Sequence, residues 1–272
     1  MTIVNYFIFS FSLTLWASFL FLNFGKNWLI DIPTERKIHG TPISRIGGLP
    51  IGIVFFLSIF VLGLGSQLLW YLLGGVSIFL LGVWDDRKSI RWPIKLLIQL
   101  FVSCIIIYRF IDTVQSVAFF GSILNFSMFI LIPIFLIWFV GILNAVNLID
   151  GMDGLAGSFM VLITVFSAII GYINDTNLFL VINLSLFGVV TGFLFFNRKP
   201  ARFFMGDSGS LLLGYHVACL PLLYHQSMNG GAILQITPFL ILSSFLIMDT
   251  TRVFFSRALN RQNPMNADTI HL

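Results

Sequence analysis

Charged side chains are scarce in this sequence of 272 residues. Asp, Glu, Lys and Arg make up only 10% of it, against about 25% in soluble globular domains. Apolar residues make up 58%, and the mean hydropathy is +0.98. This composition excludes a soluble globular protein, and the 31 phenylalanines exclude a disordered one. The net charge of +4 is too dilute for a nucleic-acid partner. The sequence therefore predicts an all-α, polytopic bundle of transmembrane helices.

Cysteine is almost absent as well. Cys104 and Cys219 are the only two, and both lie in apolar runs without a CxxC or other metal-ligand spacing. We therefore predict no disulfide, and we interpret both residues as packing or lipid-facing side chains.

Long apolar runs are abundant. A membrane-crossing helix needs about 20 predominantly apolar residues, and nine segments come close to that length. The first is too long for a signal peptide and has no small-residue cleavage site, and Pro133 should kink the fifth. The nine predicted spans are residues 3–24, 46–64, 67–84, 92–111, 125–143, 155–173, 178–196, 210–224 and 232–255.

The basic residues predict the orientation of these spans. Of the 15 Lys and Arg residues, all but Arg109 fall in one set of connecting loops and its helix ends. The positive-inside rule makes that set cytoplasmic, so the N-terminus lies outside and the tail after the ninth span lies inside. The outer loops are then short, at 65–66, 112–124, 174–177 and 225–231.

The acidic residues concentrate on the same face. Only Asp112 and Asp175 are on the outer side, so the cytoplasmic edge is the predicted working surface. A transporter would instead place polar groups near the bilayer midplane, and an intramembrane aspartyl protease would need two aspartates within the bilayer. Neither pattern is evident, although a transporter stays an alternative.

The pair Asp85-Asp86 follows the third span directly. Two adjacent carboxylates repel each other unless a cation lies between them. The pair therefore indicates a Mg²⁺ or phosphate site. A solvated helix end neutralised by Arg87 and Lys88 is the alternative.

A polar segment follows the fifth span. Asn144, Asn147 and Asp150 recur every third residue, which keeps them on one face of a helix, and Asp153 follows. Oxygen ligands on one face suit a hard cation, a sugar or a phosphate. An ordinary turn needs far fewer polar groups.

The segment from Arg202 to Ser210 opens the eighth span. Asp207 stands among small residues at the start of this helix, where free backbone N–H groups favour phosphate, or a carboxylate that holds Mg²⁺ against phosphate. Simple capping of the helix is the alternative, but it leaves Arg202 and Gly206 unexplained.

Two further segments are basic or polar. The loop that contains Lys37 and His39 ends at Gly47-Gly48, and its cations could simply contact anionic lipid headgroups. The chain ends in a polar tail that contains His271.

Together these segments resemble the polyprenyl-phosphate N-acetylhexosamine-1-phosphate transferase family, glycosyltransferase family 4, which includes the phospho-N-acetylmuramoyl-pentapeptide translocases. The tail looks closer to the GlcNAc-type branch. The matching segments, in chain order, are Arg36-Lys37-x-His39 with Gly47-Gly48, Asp85-Asp86, Asn144-x-x-Asn147-x-x-Asp150-Gly151-x-Asp153-Gly154, Gly206-Asp207-x-Gly209-Ser210 and Ala267-Asp268-x-x-His271-Leu272.

The resemblance implies transfer of a sugar-1-phosphate, expected to be N-acetylhexosamine-1-phosphate, from a UDP-sugar to undecaprenyl or another polyprenyl phosphate, with release of UMP. It implies Mg²⁺ as the cofactor, with Mn²⁺ as an alternative, and membrane lipid as the surroundings. The expected location is the bacterial inner membrane, with the site at its cytoplasmic face. The reaction would be the first membrane step of a cell-envelope polysaccharide pathway. A homodimer is left open.

The resemblance also suggests roles for individual residues. Asp207 and Asn147 are expected to be Mg²⁺ ligands. Asp85 and Asp86 would position the acceptor phosphate or act as a base. The residues expected to hold the nucleotide or sugar, or to orient the metal shell, are Asn144, Asp150 and Asp153. Those expected to contact phosphate or nucleotide are Lys37, His39, Arg202 and His271.

Two departures from the family pattern stand out. Ser89 occupies the position where the GlcNAc branch usually carries a third aspartate. Residues 1–272 are expected to form one membrane domain that lacks the family's last span or spans. Because terminal segments are usually poorly ordered unless anchored, His271 is expected to be loosely held. A truncated homologue with slow turnover is therefore the second alternative.

Overall fold

The computed structural model describes residues 3–25, 28–31, 43–110, 113–228 and 231–259. Within these ranges the chain is a bundle of α-helices. The helices are α1 (Ile3–Phe24), α2 (Gly48–Val61), α3 (Leu69–Lys88), α4 (Trp92–Phe110), α5 (Met128–Ile149), α6 (Leu155–Ile173), α7 (Asn177–Asn197), α8 (Gly206–Ser227) and α9 (Thr237–Leu259).

Six of these helices are long and apolar enough to cross a membrane, judged by length and composition. They are α1, α3, α4, α5, α6 and α7. The prediction of a polytopic helical membrane protein is confirmed, whereas the count of nine spans stays a prediction. The helix α2 has only 14 residues, and α9 carries an Asp249–Arg252 ion pair of 3.1 Å near its end.

The helix α8 is the centre of the bundle. Every residue from Ser208 to His225 is buried, and α8 packs chiefly against α3 and α5. A central helix faces other helices rather than lipid, so it accommodates Gly, Ser and His within an apolar environment. The buried position of α8 is therefore compatible with Gly214, Tyr215 and His216 in the eighth predicted span.

Two small sheets accompany the helices. The strands β1 (Ile30–Asp31) and β2 (Ile43–Ser44) pair antiparallel near the start of α2. At the opposite end of the bundle, β3 (Ser116–Phe119) pairs antiparallel with β4 (Ser122–Asn125) and parallel with β5 (Ile233–Gln235). The segment 112–124, which the sequence predicts to be a short outer loop, therefore contains β3 and most of β4.

The ends of five helices meet at the end of the bundle where α8 begins. The starts of α2, α4 and α8 and the ends of α3 and α5 lie together there, as the hydrogen bonds described below require. Asp85 and Asp86 at the end of α3, Asn147 near the end of α5 and Asp207 at the start of α8 all lie at these helix ends.

Candidate active site

The start of α8 is built around Asp86. The Asp86 carboxylate accepts a hydrogen bond from the backbone N–H of Asp207 at 2.8 Å and from that of Ser208 at 2.9 Å. A carboxylate on free N–H groups at a helix N-terminus is a stabilising cap. Gly206 has φ +71°, and a Cβ there would lie 2.8 Å from both Asp86 oxygens. The glycine therefore allows α3 and α8 to meet.

Two further glycines let the backbones approach closely. A Cβ on Gly82 of α3 would lie 2.5 Å from the Asp207 carbonyl oxygen and from Ser208 Cα. A Cβ on Gly48 of α2 would collide with Ser208 Oγ and with the backbone nitrogen of Gly209. The first turn of α8 is thus enclosed on two sides by backbone, which fixes where Asp207 points.

Lys95, in the first turns of α4, joins two carboxylates. Its Nζ forms ion pairs with Asp85 Oδ2 and, at 2.9 Å, with Asp207 Oδ2. The Asp85 side chain is buried, whereas those of Asp207 and Lys95 are each about a quarter exposed, at 24% and 25%. The second oxygen of Asp85 accepts the backbone N–H of Ile90.

The asparagines of α5 have different partners. Asn147 donates to Asp207 Oδ1 at 3.0 Å and to Ser210 Oγ at 2.8 Å. Asn144 donates to Gln99 Oε1 at 2.8 Å and to the backbone carbonyl of Val140 at 2.7 Å. Asn147 is therefore part of the carboxylate cluster, whereas Asn144 connects α5 to α4 one turn farther from the edge.

Asp150 follows α5 directly and lies half-buried. Burial raises the pKa of its carboxyl above the usual range, and the negative charges of Asp207 and Asp86 raise it further. Arg45 opposes this rise. The interaction of Asp150 with these groups indicates that it borders the cluster.

Asp153 and Arg202 lie on the two loops beside the cluster. Asp153 Oδ2 accepts the backbone N–H of Ala201 at 3.1 Å. Arg202 is exposed, with its guanidinium 5.9 Å from the ring centre of Phe196. Both residues thus lie on loops rather than on the helices α3, α4 and α8 that carry the ion pairs, and their roles toward nucleotide stay predictions. Lys37, His39 and His271 lie outside the described residues.

Three residues of this arrangement were not identified as site residues from the sequence. From the sequence, Lys95 contributes only to the pattern of cations that predicts the orientation, although a lysine within an apolar helix is itself a functional signal. Gln99 follows one turn later on the same face. Asn197 is buried, accepts the Gly154 N–H at 3.0 Å and donates to the Phe203 carbonyl at 3.0 Å. Nothing in the sequence distinguished it from other asparagines.

The donor set fits a hard divalent cation. Within the part of the chain that the structure describes, no group of three or more His, Cys, Asp or Glu side chains forms a ready-made metal cage. Mg²⁺, however, is usually held by one or two carboxylates together with substrate phosphates and water. Asp85 and Asp207 share a single ammonium group, so this pair has the charge and the oxygen donors for such a site.

Comparison with known proteins places these residues in a family. The protein-family model described as Glycosyl transferase family 4 matches residues 68–225 of this chain. A probable undecaprenyl-phosphate N-acetylglucosaminyl 1-phosphate transferase of Bacillus subtilis (strain 168) is 34% identical, over 89% of this chain and 68% of that protein.

Two further relatives represent both branches of the family. The undecaprenyl-phosphate alpha-N-acetylglucosaminyl 1-phosphate transferase of Thermotoga maritima is 30% identical, over 90% of this chain and 72% of the relative. The phospho-N-acetylmuramoyl-pentapeptide-transferase of Clostridium perfringens (strain 13 / Type A) is 35% identical, over 74% of this chain and 67% of the relative.

Proposed function

The chain belongs to glycosyl transferase family 4, and on that premise we propose that it transfers a sugar-1-phosphate from a UDP-sugar to a polyprenyl phosphate and releases UMP. The sugar we propose is an N-acetylhexosamine, and the acceptor is undecaprenyl phosphate. The reaction is the first membrane step of a cell-envelope polysaccharide pathway.

One observation carries this proposal. Asp85 and Asp207 share the Lys95 ammonium group at one end of an apolar bundle, and Asn147 donates to the other oxygen of Asp207. All four residues lie inside the segment that the family model matches. An ionic cluster at the edge of a membrane bundle can be reached both by a lipid headgroup and by a soluble nucleotide.

The chemistry suits a site without a dedicated nucleophile. A phosphate monoester has a second pKa near 6, so the acceptor is already largely anionic at neutral pH. An acceptor oxygen attacks the phosphorus that bears the sugar, the bond to the phosphate of UMP breaks, and UMP leaves with the electron pair. The main requirement is positioning and charge neutralisation of two anions.

The residues of the chain supply much of that requirement. Asn147 and Lys95 fix the two oxygens of Asp207, and the backbone N–H of Ile90 fixes one oxygen of Asp85. Asp86 keeps the first turn of α8 in place. Such preorganisation lowers the cost of aligning the reacting groups.

We propose Mg²⁺ as the cofactor, with Mn²⁺ as a substitute. Asp207 and Asp85 would hold it, with Asn147 as a further oxygen donor. When bound, it would supply positive charge to the pyrophosphate of the donor.

Similarity to the GlcNAc-type branch of the family supports UDP-GlcNAc as the donor. Its two named relatives align with 89% and 90% of this chain, whereas the muramoyl-pentapeptide relative aligns with 74%. We therefore propose UDP-GlcNAc as the first sugar to assay.

Release of UMP from UDP-GlcNAc tests the function. The purified protein in detergent is expected to release UMP only when both polyprenyl phosphate and Mg²⁺ are present, and EDTA should abolish the release. Equal release without polyprenyl phosphate would indicate a hydrolase. No release with any of a panel of UDP-sugars would contradict the transferase proposal.

The proposed topology has nine spans, with the N-terminus outside and the site cytoplasmic. Exposed Ser89, after α3, and exposed Ser122, in β4, lie on opposite sides of the membrane in this topology. With a charged, membrane-impermeant thiol reagent on intact cells, S122C should react and S89C should react only after permeabilisation. The parent chain is the control, since Cys219 is buried and Cys104 lies within the apolar helix α4. The reverse labelling pattern would contradict the orientation.

A further inference from the structure

The ion pairs of Lys95 follow a consistent pattern at both carboxylates. In Asp207, Oδ1 accepts from Asn147 Nδ2 and Oδ2 accepts from Lys95. In Asp85, Oδ1 accepts the N–H of Ile90 and Oδ2 again pairs with Lys95. One oxygen of each carboxylate therefore accepts a hydrogen bond from a donor other than Lys95, and the other oxygen pairs with the Lys95 ammonium group.

In this pattern, the groups that orient the two carboxylates differ from the group that neutralises their charge. If Lys95 leaves, Asn147 and the Ile90 N–H still hold both carboxylates in place. The two Oδ2 atoms are then available together, on either side of the position that Nζ had occupied. These are the oxygens that a single hard cation could bind in its place.

The charges make joint occupancy unfavourable. Two carboxylates and one ammonium group have a net charge of −1, and exchange of the ammonium for a divalent cation brings the pair to zero. An ammonium and a divalent cation bound to the same two oxygens would repel each other strongly, because the interaction of charges a few ångströms apart amounts to several kcal/mol in a protein environment. The lysine side chain is long and flexible and a quarter exposed, so it has room to leave.

We propose that Lys95 is a built-in counter-ion of the site. It neutralises and holds Asp85 and Asp207 in the substrate-free protein, it is displaced from both Oδ2 atoms when the divalent cation binds, and its freed ammonium group then contacts a substrate phosphate. This inference rests on the proposed transferase function for the identity of the phosphate. The exchange of Lys95 for the cation does not depend on transfer.

Direct binding of Mn²⁺ without substrates tests the exchange. Electron paramagnetic resonance of free Mn²⁺ gives the dissociation constant for purified wild-type protein and for K95M. Because K95M has no competing ammonium, it should bind Mn²⁺ at least about tenfold more tightly. K88M is the matched control, since Lys88 is exposed at the end of α3 and its loss removes the same charge from the same face.

The binding data separate the alternatives. Equal or weaker binding by K95M, or an equal gain in K88M, would overturn the proposal, because Lys95 would then be a structural bridge or merely part of the overall charge. The double variant D207N/K95M should lose the gain. If the double variant still binds Mn²⁺ more tightly than wild type, the cation binds away from Asp207 and the proposal fails.

A second measurement uses the wild-type protein and so does not depend on folding of a variant. An amine-reactive reagent followed by mass spectrometry reports the accessibility of Lys95. Addition of Mg²⁺ should increase labelling of Lys95 severalfold and leave labelling of Lys88 unchanged. Unchanged or reduced labelling of Lys95 would overturn the proposal.

The outcomes for the two proposals are distinguishable. If UMP release fails while K95M gains Mn²⁺ affinity, the proposed function falls and the ion exchange stands. If UMP release depends on Mg²⁺ but K95M gains no affinity, only the ion exchange falls. In the transfer assay, K95M should be slower than wild type at every Mg²⁺ concentration, because the phosphate contact is lost.

Discussion

The helices α3 and α8 contact each other at two depths along the bundle, which we call the ionic level and the neutral level. At the edge of the bundle the contact is ionic: the Asp86 carboxylate caps α8, and Asp85 shares Lys95 with Asp207. In the middle of the bundle the contact is neutral and fully enclosed. There Tyr71 Oη and His216 Nδ1 are 2.8 Å apart, and Tyr215 donates to the Tyr71 carbonyl.

The central contact extends to a third helix. His216 Nε2 lies 3.1 Å from Asn183 Oδ1 on α7, and Asn183 donates back to the Phe179 carbonyl. Tyr71, Asn183 and His216 are each 0% exposed. Groups this deeply enclosed cannot meet a substrate, so the network joins helices and does no chemistry. Its closed form also counts against a transport path through this part of the bundle.

The difference shows what charge contributes to this molecule. Neutral hydrogen bonds suffice to align α3, α7 and α8 where lipid and protein exclude water. Carboxylates that repel one another are costly, and they occur where nucleotide and lipid headgroup could arrive. Changes at the ionic level are therefore expected to alter activity, whereas changes at the neutral level are expected to alter stability alone.

Removal of the Asp207 charge should have the largest effect. D207N keeps the shape of the side chain but halves the charge of the Asp85–Asp207 pair. UMP release should fall by about 10²–10³-fold, as is typical when one group that stabilises transition-state charge is lost. The melting temperature in detergent should change little. Activity within a few-fold of wild type would mean that Asp207 is only part of the helix end.

An added methyl group at the ionic level should have the next largest effect. The Cβ of G82A would meet backbone atoms of Asp207 and Ser208 at 2.5 Å, and backbone cannot move aside as a side chain can. We expect a loss of about 1–3 kcal/mol in the free energy of unfolding, together with reduced activity. Denaturant unfolding measures the first and UMP release the second.

Gly141 provides the matched control for this substitution. It lies within α5, and a Cβ there meets nothing within 4 Å. G141A should leave activity unchanged and raise stability slightly, by about 0.5–1 kcal/mol, as Ala does in helices. Equal losses in both variants would show that the close approach of α3 to α8 is not what matters.

Much of this site could be predicted from the sequence. Asp85, Asn147 and Asp207 follow or begin apolar runs, and alternating spans bring such ends to the same side of a membrane. The structure does bring these three residues together. Asn144 and Asn147 lie in a helix as their spacing predicts, since α5 continues to Ile149, whereas Asp150 follows the last residue of the helix.

The contacts of the site that the sequence does not predict depend on which helix faces pack together. The pairing of Lys95 with two carboxylates and of Gln99 with Asn144 requires α4 to lie against α5 and the start of α8. No local pattern encodes such a contact between segments distant in the chain. The strands β3 and β4 have only four residues each, too short for alternation to be distinguished from an ordinary loop.

The cap on α8 should contribute a smaller amount. D86N keeps one carbonyl oxygen for the N–H groups of Asp207 and Ser208 but loses the second acceptor and the charge that favours a helix N-terminus. We expect a loss of about 1 kcal/mol in stability and a modest decrease in UMP release, whereas D86A should lose more of both. If D86N abolishes activity without loss of stability, Asp86 contacts substrate directly.

Removal of one hydroxyl at the neutral level should have the smallest effect. Y71F breaks the contact with His216, and such hydrogen bonds between membrane helices contribute about 0.6 kcal/mol on average. Y108F is the control, because Tyr108 lies on the exposed face of α4, where it is 80% exposed. Unfolding should show the small loss for Y71F alone, and UMP release per folded molecule should match wild type in both. A tenfold loss of activity in Y71F at unchanged stability would contradict the separation, because the enclosed network would then govern the geometry of the ionic cluster.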